Sequence, residues 1–159
     1  MPEETFSSLS YVAGPAILTN ACAVLQNGVT TRYNLAIAQW RDFRTSLAAG
    51  DGRALRPYAD PATAVALAAR RVRLQLRSLA LLNTAVALFA ATTVLGLASA
   101  APIVRAPAAA IALTMAGCGT VALLVLLAAA MTFFLESACG TALLRLHRDF
   151  AASGDAPTP

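Results

Sequence analysis

Three long stretches without a charged residue constrain the fold more than any other feature of this chain. Residues 5–31, 78–104 and 106–135 contain no Asp, Glu, Lys or Arg. Each stretch exceeds the ~20 residues that an α-helix needs to cross a hydrocarbon core about 30 Å thick. A chain of 159 residues is too short to surround three such helices with soluble structure. The sequence therefore predicts an all-α integral membrane protein with three transmembrane helices.

Composition and the placement of arginine agree with this prediction and add an orientation. Charged residues make up 13% of the chain, about half the share of a soluble domain. The segment 32–77 is rich in arginine, whereas the 101–107 connection holds only Arg105. The positive-inside rule then puts segment 32–77 in the cytoplasm and the N-terminus outside. The predicted order is an extracytoplasmic tail (1–7), transmembrane helix 1 (8–31), a cytoplasmic antiparallel helical hairpin (32–77), transmembrane helix 2 (78–100), an extracytoplasmic loop (101–107), transmembrane helix 3 (108–135) and a cytoplasmic tail (136–159).

Two apolar stripes predict the helical hairpin. Gly50-Asp51-Gly52 predicts the break between its helices, and Asp60-Pro61 predicts an N-cap followed by proline in the first turn. The stripes are expected to pack against each other; the alternative is that both lie flat in the membrane interface. The first stripe is Val29, Tyr33, Ala36, Trp40, Phe43 and Leu47, and the second is Val65, Ala69, Val72, Leu76 and Leu79.

A cluster of four arginines stands at the entrance to the second span. Arg70, Arg73 and Arg77 share one helix face, and Arg71 lies to the side. Anionic phospholipid or a partner protein could contact this cluster, since a juxtamembrane arginine gains about 1 kcal/mol near anionic lipid. The plainer alternative is a topology signal on a solvated face. Nucleic acid is not expected, because the segment has no aromatic platform or reader motif.

Polar residues within or beside the spans are the remaining candidates for a site. Asn20, Gln26 and Asn27 interrupt the first uncharged stretch. They are expected to form interhelical hydrogen bonds, although a pore lining is the alternative. Glu136 follows the third stretch, and we expect it to form an interfacial ion pair with Arg77, or failing that with Arg32.

No constellation for catalysis appears in the sequence, and no cofactor or metal site is expected. The favoured hypothesis is a non-enzymatic accessory or scaffold protein that engages the bilayer and another membrane protein or itself. The alternative is a small transport or ion-conducting protein, which would require a homo-oligomer because three spans are too few for a pore.

Four short motifs carry a resemblance to a known family. They are GPAILTNACAVLQN, RYNLAIAQWRDFR, RRVRLQLRSLALLNTAV and FFLESACGTALLRL. With this order of motifs the chain resembles the small three-helix bacterial membrane proteins grouped as domain-of-unknown-function family 2721. The resemblance implies a three-span architecture in the bacterial cytoplasmic membrane, and it implies no established activity.

Overall fold

Three long helices make up almost all of the structure, a computed structural model that describes residues 2–99 and 107–147, with side chains from residue 13 onward. The helices are α1 (Pro2–Ala49), α2 (Pro61–Ser99) and α3 (Ala108–Arg145). Each helix is far longer than the average helix of a globular protein, which has about 11 or 12 residues. At 1.5 Å per residue, the 48 residues of α1 extend about 70 Å. Pro15 lies inside α1, where the Thr19 hydroxyl donates a hydrogen bond of 2.8 Å to the Pro15 carbonyl.

Local sequence signals explain where α1 ends and α2 begins. Gly50 and Gly52 adopt the left-handed conformation, with φ of 69° and 58°, which stops α1 at Ala49. Asp60 caps α2, because its carboxylate accepts the backbone N–H groups of Ala62 and Thr63 at 3.0 and 3.2 Å. The predicted helix break and the predicted N-cap are both confirmed.

The chain divides into two compact units, each built from parts of all three helices. The first unit comprises Met1–Gly28 and Leu79–Ala129, and the second comprises Val29–Ser78 and Ala130–Pro159. The core of the first unit contains Cys22, Ala85, Phe89 and Ala122. The core of the second contains Phe43, Leu55, Ala64, Ala68 and Leu143.

Buried positions recur every seven residues along the helices. On α1 the series is Cys22, Val29, Ala36 and Phe43, and on α3 it is Ala122, Ala129, Glu136 and Leu143. A seven-residue repeat keeps one narrow seam of a helix facing its neighbours. Half of these eight residues are Ala or Cys, which lets the helices approach closely at those positions.

Two of the helices are long and apolar enough to cross a membrane, as judged over the described residues. They cover Pro61–Ala98 and Ala109–Arg145, and only 28% and 11% of their most apolar stretches are buried. The core helix of a soluble protein would be buried along most of its length. These two helices therefore support a membrane protein, whereas α1 is not among the candidate spans.

Several expected boundaries differ from the structure. Residues 2–7 belong to α1 rather than to a tail, and α3 continues ten residues past the predicted end of its span, through Glu136 to Arg145. The second unit is thus a three-helix arrangement in which Leu143 of α3 joins the core of α1 and α2. Residues 101–106 of the predicted loop 101–107, and the residues after His147, lie outside the described residues.

The first apolar stripe is confirmed over most of its length. The second is confirmed only in part: Val65 packs against the core of the second unit, and Ala69, Val72 and Leu79 are half-buried beside the fully buried positions. Val29, Ala36 and Phe43 are buried on α1, although Leu47 is exposed and Ser46 is buried in its place. On α2 Leu76 is exposed, and the buried positions are instead Ala64, Ala68, Leu74, Gln75 and Ser78. Four of these five buried side chains are small or polar, and Leu74 is the bulky apolar member.

Candidate functional site

A buried ion pair lies within the second unit. The side chain of Glu136 on α3 is 3% exposed, and that of Arg71 on α2 is 23% exposed. Glu136 Oε1 accepts hydrogen bonds from both Nε and Nη2 of Arg71, each at 2.9 Å. A carboxylate this deeply buried is stable as an ion only beside a compensating cation. Arg71 supplies that cation, so the pair joins α2 to α3.

Two further side chains hold the arginine in place. Arg71 Nη1 donates to Gln39 Oε1 on α1 at 3.3 Å, and Gln39 Nε2 donates to the Tyr58 hydroxyl at 3.4 Å. We call Gln39, Tyr58, Arg71 and Glu136 the polar network. It draws one residue from each helix and one from the connection between α1 and α2, so it fixes the spacing of all four segments within the second unit.

The polar network opens onto a cavity of about 210 Å³. Tyr58 makes an edge-to-face contact with His147 at 5.3 Å between ring centroids, and a similar contact with Phe43 at 5.4 Å. The backbone N–H of Ala59 donates to the Leu146 carbonyl at 2.9 Å, which ties the end of α3 to the connection. The residues lining the cavity are Gln39, Tyr58, Arg71, Gly140, Leu143, Leu144 and His147.

The connection between α1 and α2 is ordered by its own hydrogen bonds. Ser46 donates to Asp51 Oδ1 at 2.6 Å and accepts the backbone N–H of Ala54 at 3.1 Å. Hydrogen bonds from the Ser46 hydroxyl and, to a smaller extent, from the Arg53 backbone N–H lower the pKa of Asp51. The Thr63 hydroxyl and backbone N–H likewise lower the pKa of Asp60. Both carboxylates are therefore held as solvated caps and are poorly suited to act as bases near neutral pH.

One buried polar side chain in the second unit has no hydrogen-bond partner among the residues that the structure describes. Gln75 is 2% exposed, and neither its amide nitrogen nor its amide oxygen is bonded. It lies four residues after Arg71 on α2 and therefore one turn along the same face. A buried amide without partners lowers the stability of the folded chain, so Gln75 is a weak point of the seam.

The predicted partner of Glu136 is wrong. Glu136 pairs with Arg71, whereas Arg77 is exposed and the Arg32 guanidinium lies over the Phe133 ring at 4.6 Å. The physical reason is the seven-residue seam: Arg71 lies seven residues after Ala64 and seven before Ser78, both buried. Arg71 is thereby withdrawn from the predicted lipid or partner contact, while Arg70, Arg73 and Arg77 remain on an exposed face.

The structure places the three polar residues of the first uncharged stretch in different surroundings. Gln26 Nε2 on α1 donates to Asn83 Oδ1 on α2 at 2.8 Å, within the first unit, which is the expected interhelical bond. Asn20 and Asn27 are instead exposed on α1. Sequence reasoning missed Gln39, Tyr58 and Gln75; the signal that could have found Gln75 is the seven-residue series on α2, which passes through Ala68, Gln75, Leu82 and Phe89.

No group of three or more His, Cys, Asp or Glu side chains gathers among residues that the structure describes. Cys22 and Cys139 are buried and reduced, in separate units. What the polar network can do is neutralise a buried charge and hold helices in register, and it presents no nucleophile beside a base.

No protein-family model matches the chain, and comparisons with curated proteins and with solved structures return no match. The resemblance to domain-of-unknown-function family 2721 stays a prediction based on short motifs.

Proposed function

We propose that this chain is a non-enzymatic, three-span protein of the bacterial cytoplasmic membrane that works as an accessory or scaffold subunit. One observation carries the proposal: the buried acid, Glu136, is neutralised by Arg71, which Gln39 holds in turn. A proton relay or catalytic acid needs a carboxylate that can exchange its proton with a second group. Here the carboxylate is committed to helix packing, so the chain acts through its surfaces.

The surfaces of the two units suit this role. Leucine, valine and isoleucine side chains of the first unit are exposed, as Ile17, Val94 and Leu113 illustrate at 69%, 63% and 77%. Such a surface suits lipid acyl chains and other transmembrane helices. The second unit exposes Arg70, Arg73 and Arg77, which suit anionic headgroups or an acidic partner surface.

The third span in this proposal is α1. Its described side chains from 13 to 28 include no charged residue, and the helix is long enough to cross a bilayer and continue beyond it. The excess of arginine between 32 and 77 favours a cytoplasmic location for that segment and an extracytoplasmic N-terminus.

Topology is tested by labelling in intact bacterial cells. A cysteine at Ser8 should react with a membrane-impermeant maleimide, and a cysteine at Ala49 should react only after the cells are permeabilised. The three native cysteines are replaced in this background, and each variant is checked for an unchanged melting temperature. The reverse pattern would refute the orientation, and labelling of both sites in intact cells would refute the first span.

The role is tested by purification in native-like lipid discs followed by mass measurement and a liposome flux assay. The scaffold proposal expects a complex of defined stoichiometry and no ion flux above empty vesicles. The second candidate, a homo-oligomeric conductor, is favoured by the exposed amide of Asn20. Flux that disappears in Asn20→Leu but persists in Leu25→Ala would establish the conductor and overturn the scaffold.

A further inference from the structure

One face of α1 in the first unit combines small and amide side chains in a regular pattern. Its members are exposed and follow one another at steps of three and four residues, which keeps them on a single seam of the helix. Large apolar side chains, Ile17 and Val24, flank the seam at 69% and 66% exposure. We call this face the amide stripe; it consists of Ala13, Ala16, Asn20, Ala23 and Asn27.

We propose that the amide stripe is the contact surface for a second copy of this chain, paired in parallel through α1. The inference rests on the proposed membrane location, and it names the partner that the scaffold role leaves open. The stripe is uncharged and its alanines allow two backbones to approach closely, as helix pairs in membranes require. In lipid, the amides of Asn20 and Asn27 would be poorly solvated, so covering them is favourable.

The chemistry of the stripe favours an identical partner over a different one. A two-fold axis places each stripe residue against its own copy. Asn suits such a contact because its amide carries both donors and an acceptor, whereas arginine or glutamate would repel its copy. An Asn side chain has two N–H donors and an oxygen with two lone pairs, so a bond within its own chain still leaves capacity for a partner.

The spacing of the two asparagines sets the register in which two α1 helices pair. Two copies inserted in the same direction have parallel α1 helices. Asn20 and Asn27 are seven residues apart, so both meet their counterparts in one register, and a shift along the helix would set amides against alanine. A single buried Asn pair is known to select a register in parallel helix pairs at some expense of stability, and this stripe contains two.

Disulfide crosslinking in membranes tests the geometry. In a background lacking Cys22, Cys118 and Cys139, oxidation should yield several-fold more dimer for Ala16→Cys and Ala23→Cys than for Leu25→Cys. Leu25 is a matched control: it is 53% exposed on the same helix, two residues from Ala23, and faces about 160° away from the stripe. Equal dimer at Leu25, or more dimer at Ala116→Cys on α3, would overturn the proposal.

A second measurement keeps the native cysteines. Energy transfer between donor- and acceptor-labelled copies in vesicles, followed over protein-to-lipid ratio, gives the dimer dissociation constant. Asn20→Leu with Asn27→Leu should raise that constant about tenfold or more, since each interhelical amide contact contributes about a kcal/mol. Leu25→Ala should leave it unchanged. The proposed pairing is refuted if the unmodified chain does not self-associate. It is also refuted if Ala23→Cys forms crosslinks only to a foreign protein.

The two proposals fail separately. If maleimide labelling supports the membrane topology but no crosslink forms through the amide stripe, the proposed pairing of two copies is wrong and the scaffold role stands. If labelling contradicts the topology, the membrane role fails whatever the crosslinks show.

Discussion

The two units use the same three helices and the same spacing of buried positions, and they fill those positions differently. In the first unit the seam is apolar, with Cys22, Ala85 and Phe89, while leucine covers the surface. In the second unit the seam includes the Arg71–Glu136 pair and Gln75, while the surface carries exposed arginines beside exposed leucines. The described side chains of the first unit include no Asp, Glu, Lys or Arg.

This difference shows that two features of the sequence act separately: the buried positions determine how the helices pack, and the exposed residues determine which surroundings suit each unit. Buried positions spaced seven residues apart bring the helices together in both units. The exposed residues outside the seam determine whether a unit is more stable in lipid or in water. An exposed leucine is favourable in lipid, whereas an exposed arginine there has a high free-energy cost. The buried positions alone do not distinguish the two units by spacing, whereas the exposed residues do distinguish them by composition.

The largest expected effect comes from breaking the ion pair in the second unit. Arg71→Ala leaves Glu136 buried without a cation and should lower the free energy of unfolding by about 3 kcal/mol or more. Denaturation by SDS in mixed micelles measures this. Arg73→Ala, on the exposed face of the same helix, is the matched control and should change little.

Replacing both members of the pair tests the same point. Arg71→Met with Glu136→Leu removes the charges together and should restore most of the lost stability, since a buried pair and an apolar pair of similar volume are often equivalent. A loss in the double variant as large as in Arg71→Ala would contradict an ion-pair origin and point to packing by the arginine stem.

A direct comparison of the two surfaces gives the next effect. Leu124, 60% exposed in the first unit, and Leu47, 52% exposed in the second, are both unpacked leucines. If the first unit faces lipid, Leu124→Arg should cost about 3 kcal/mol and reduce membrane insertion, whereas Leu47→Arg should be close to neutral. Equal behaviour of the two variants in an insertion assay would remove the proposed difference in environment.

The unsatisfied amide in the seam of the second unit gives a stabilising prediction. Gln75→Leu keeps a similar volume and removes two unbonded polar atoms, so it should raise the free energy of unfolding by about 1 to 2 kcal/mol. Gln39→Leu is the contrasting variant, and it should lower stability because Gln39 bonds both Arg71 and Tyr58. A destabilising Gln75→Leu would indicate that the amide binds a water molecule or a partner.

Local signals in the sequence predicted the features that depend on a few neighbouring residues. The glycines at 50 and 52 ended α1, and Asp60 capped α2, because backbone conformation and a nearby carboxylate decide those points. The face that α2 buries could not be predicted in the same way. Its apolar residues lie almost all round the helix, so hydrophobic periodicity does not select a face.

The wrong partner for Glu136 has the same origin. Arg71 looked like a lateral member of a surface cluster because Arg70, Arg73 and Arg77 share a face. Only packing against α1 and α3 shows that residue 71 lies in the seam. Gln39 and Tyr58 complete the polar network from 32 and 13 residues away in sequence, distances at which no local pattern links them to Arg71.

The smallest expected effect concerns the solvated carboxylates of the second unit. Hydrogen bonds from Ser46 and Thr63 lower the pKa values of Asp51 and Asp60 in the folded chain. A carboxylate whose pKa is lower in the folded state contributes stability above its unfolded value, near pH 4, and loses that contribution as the pH falls through the folded value. The melting temperature should therefore decline below about pH 4.

Variants separate the contribution of these two groups from the rest of the acid response. Asp51→Asn with Asp60→Asn should flatten the decline of melting temperature between pH 5 and pH 3, because neither side chain then changes its charge. Asp42→Asn, an exposed aspartate on α1, is the matched control and should leave the slope close to that of the unmodified chain. A slope that the double variant leaves unchanged would contradict the assignment of the acid response to Asp51 and Asp60.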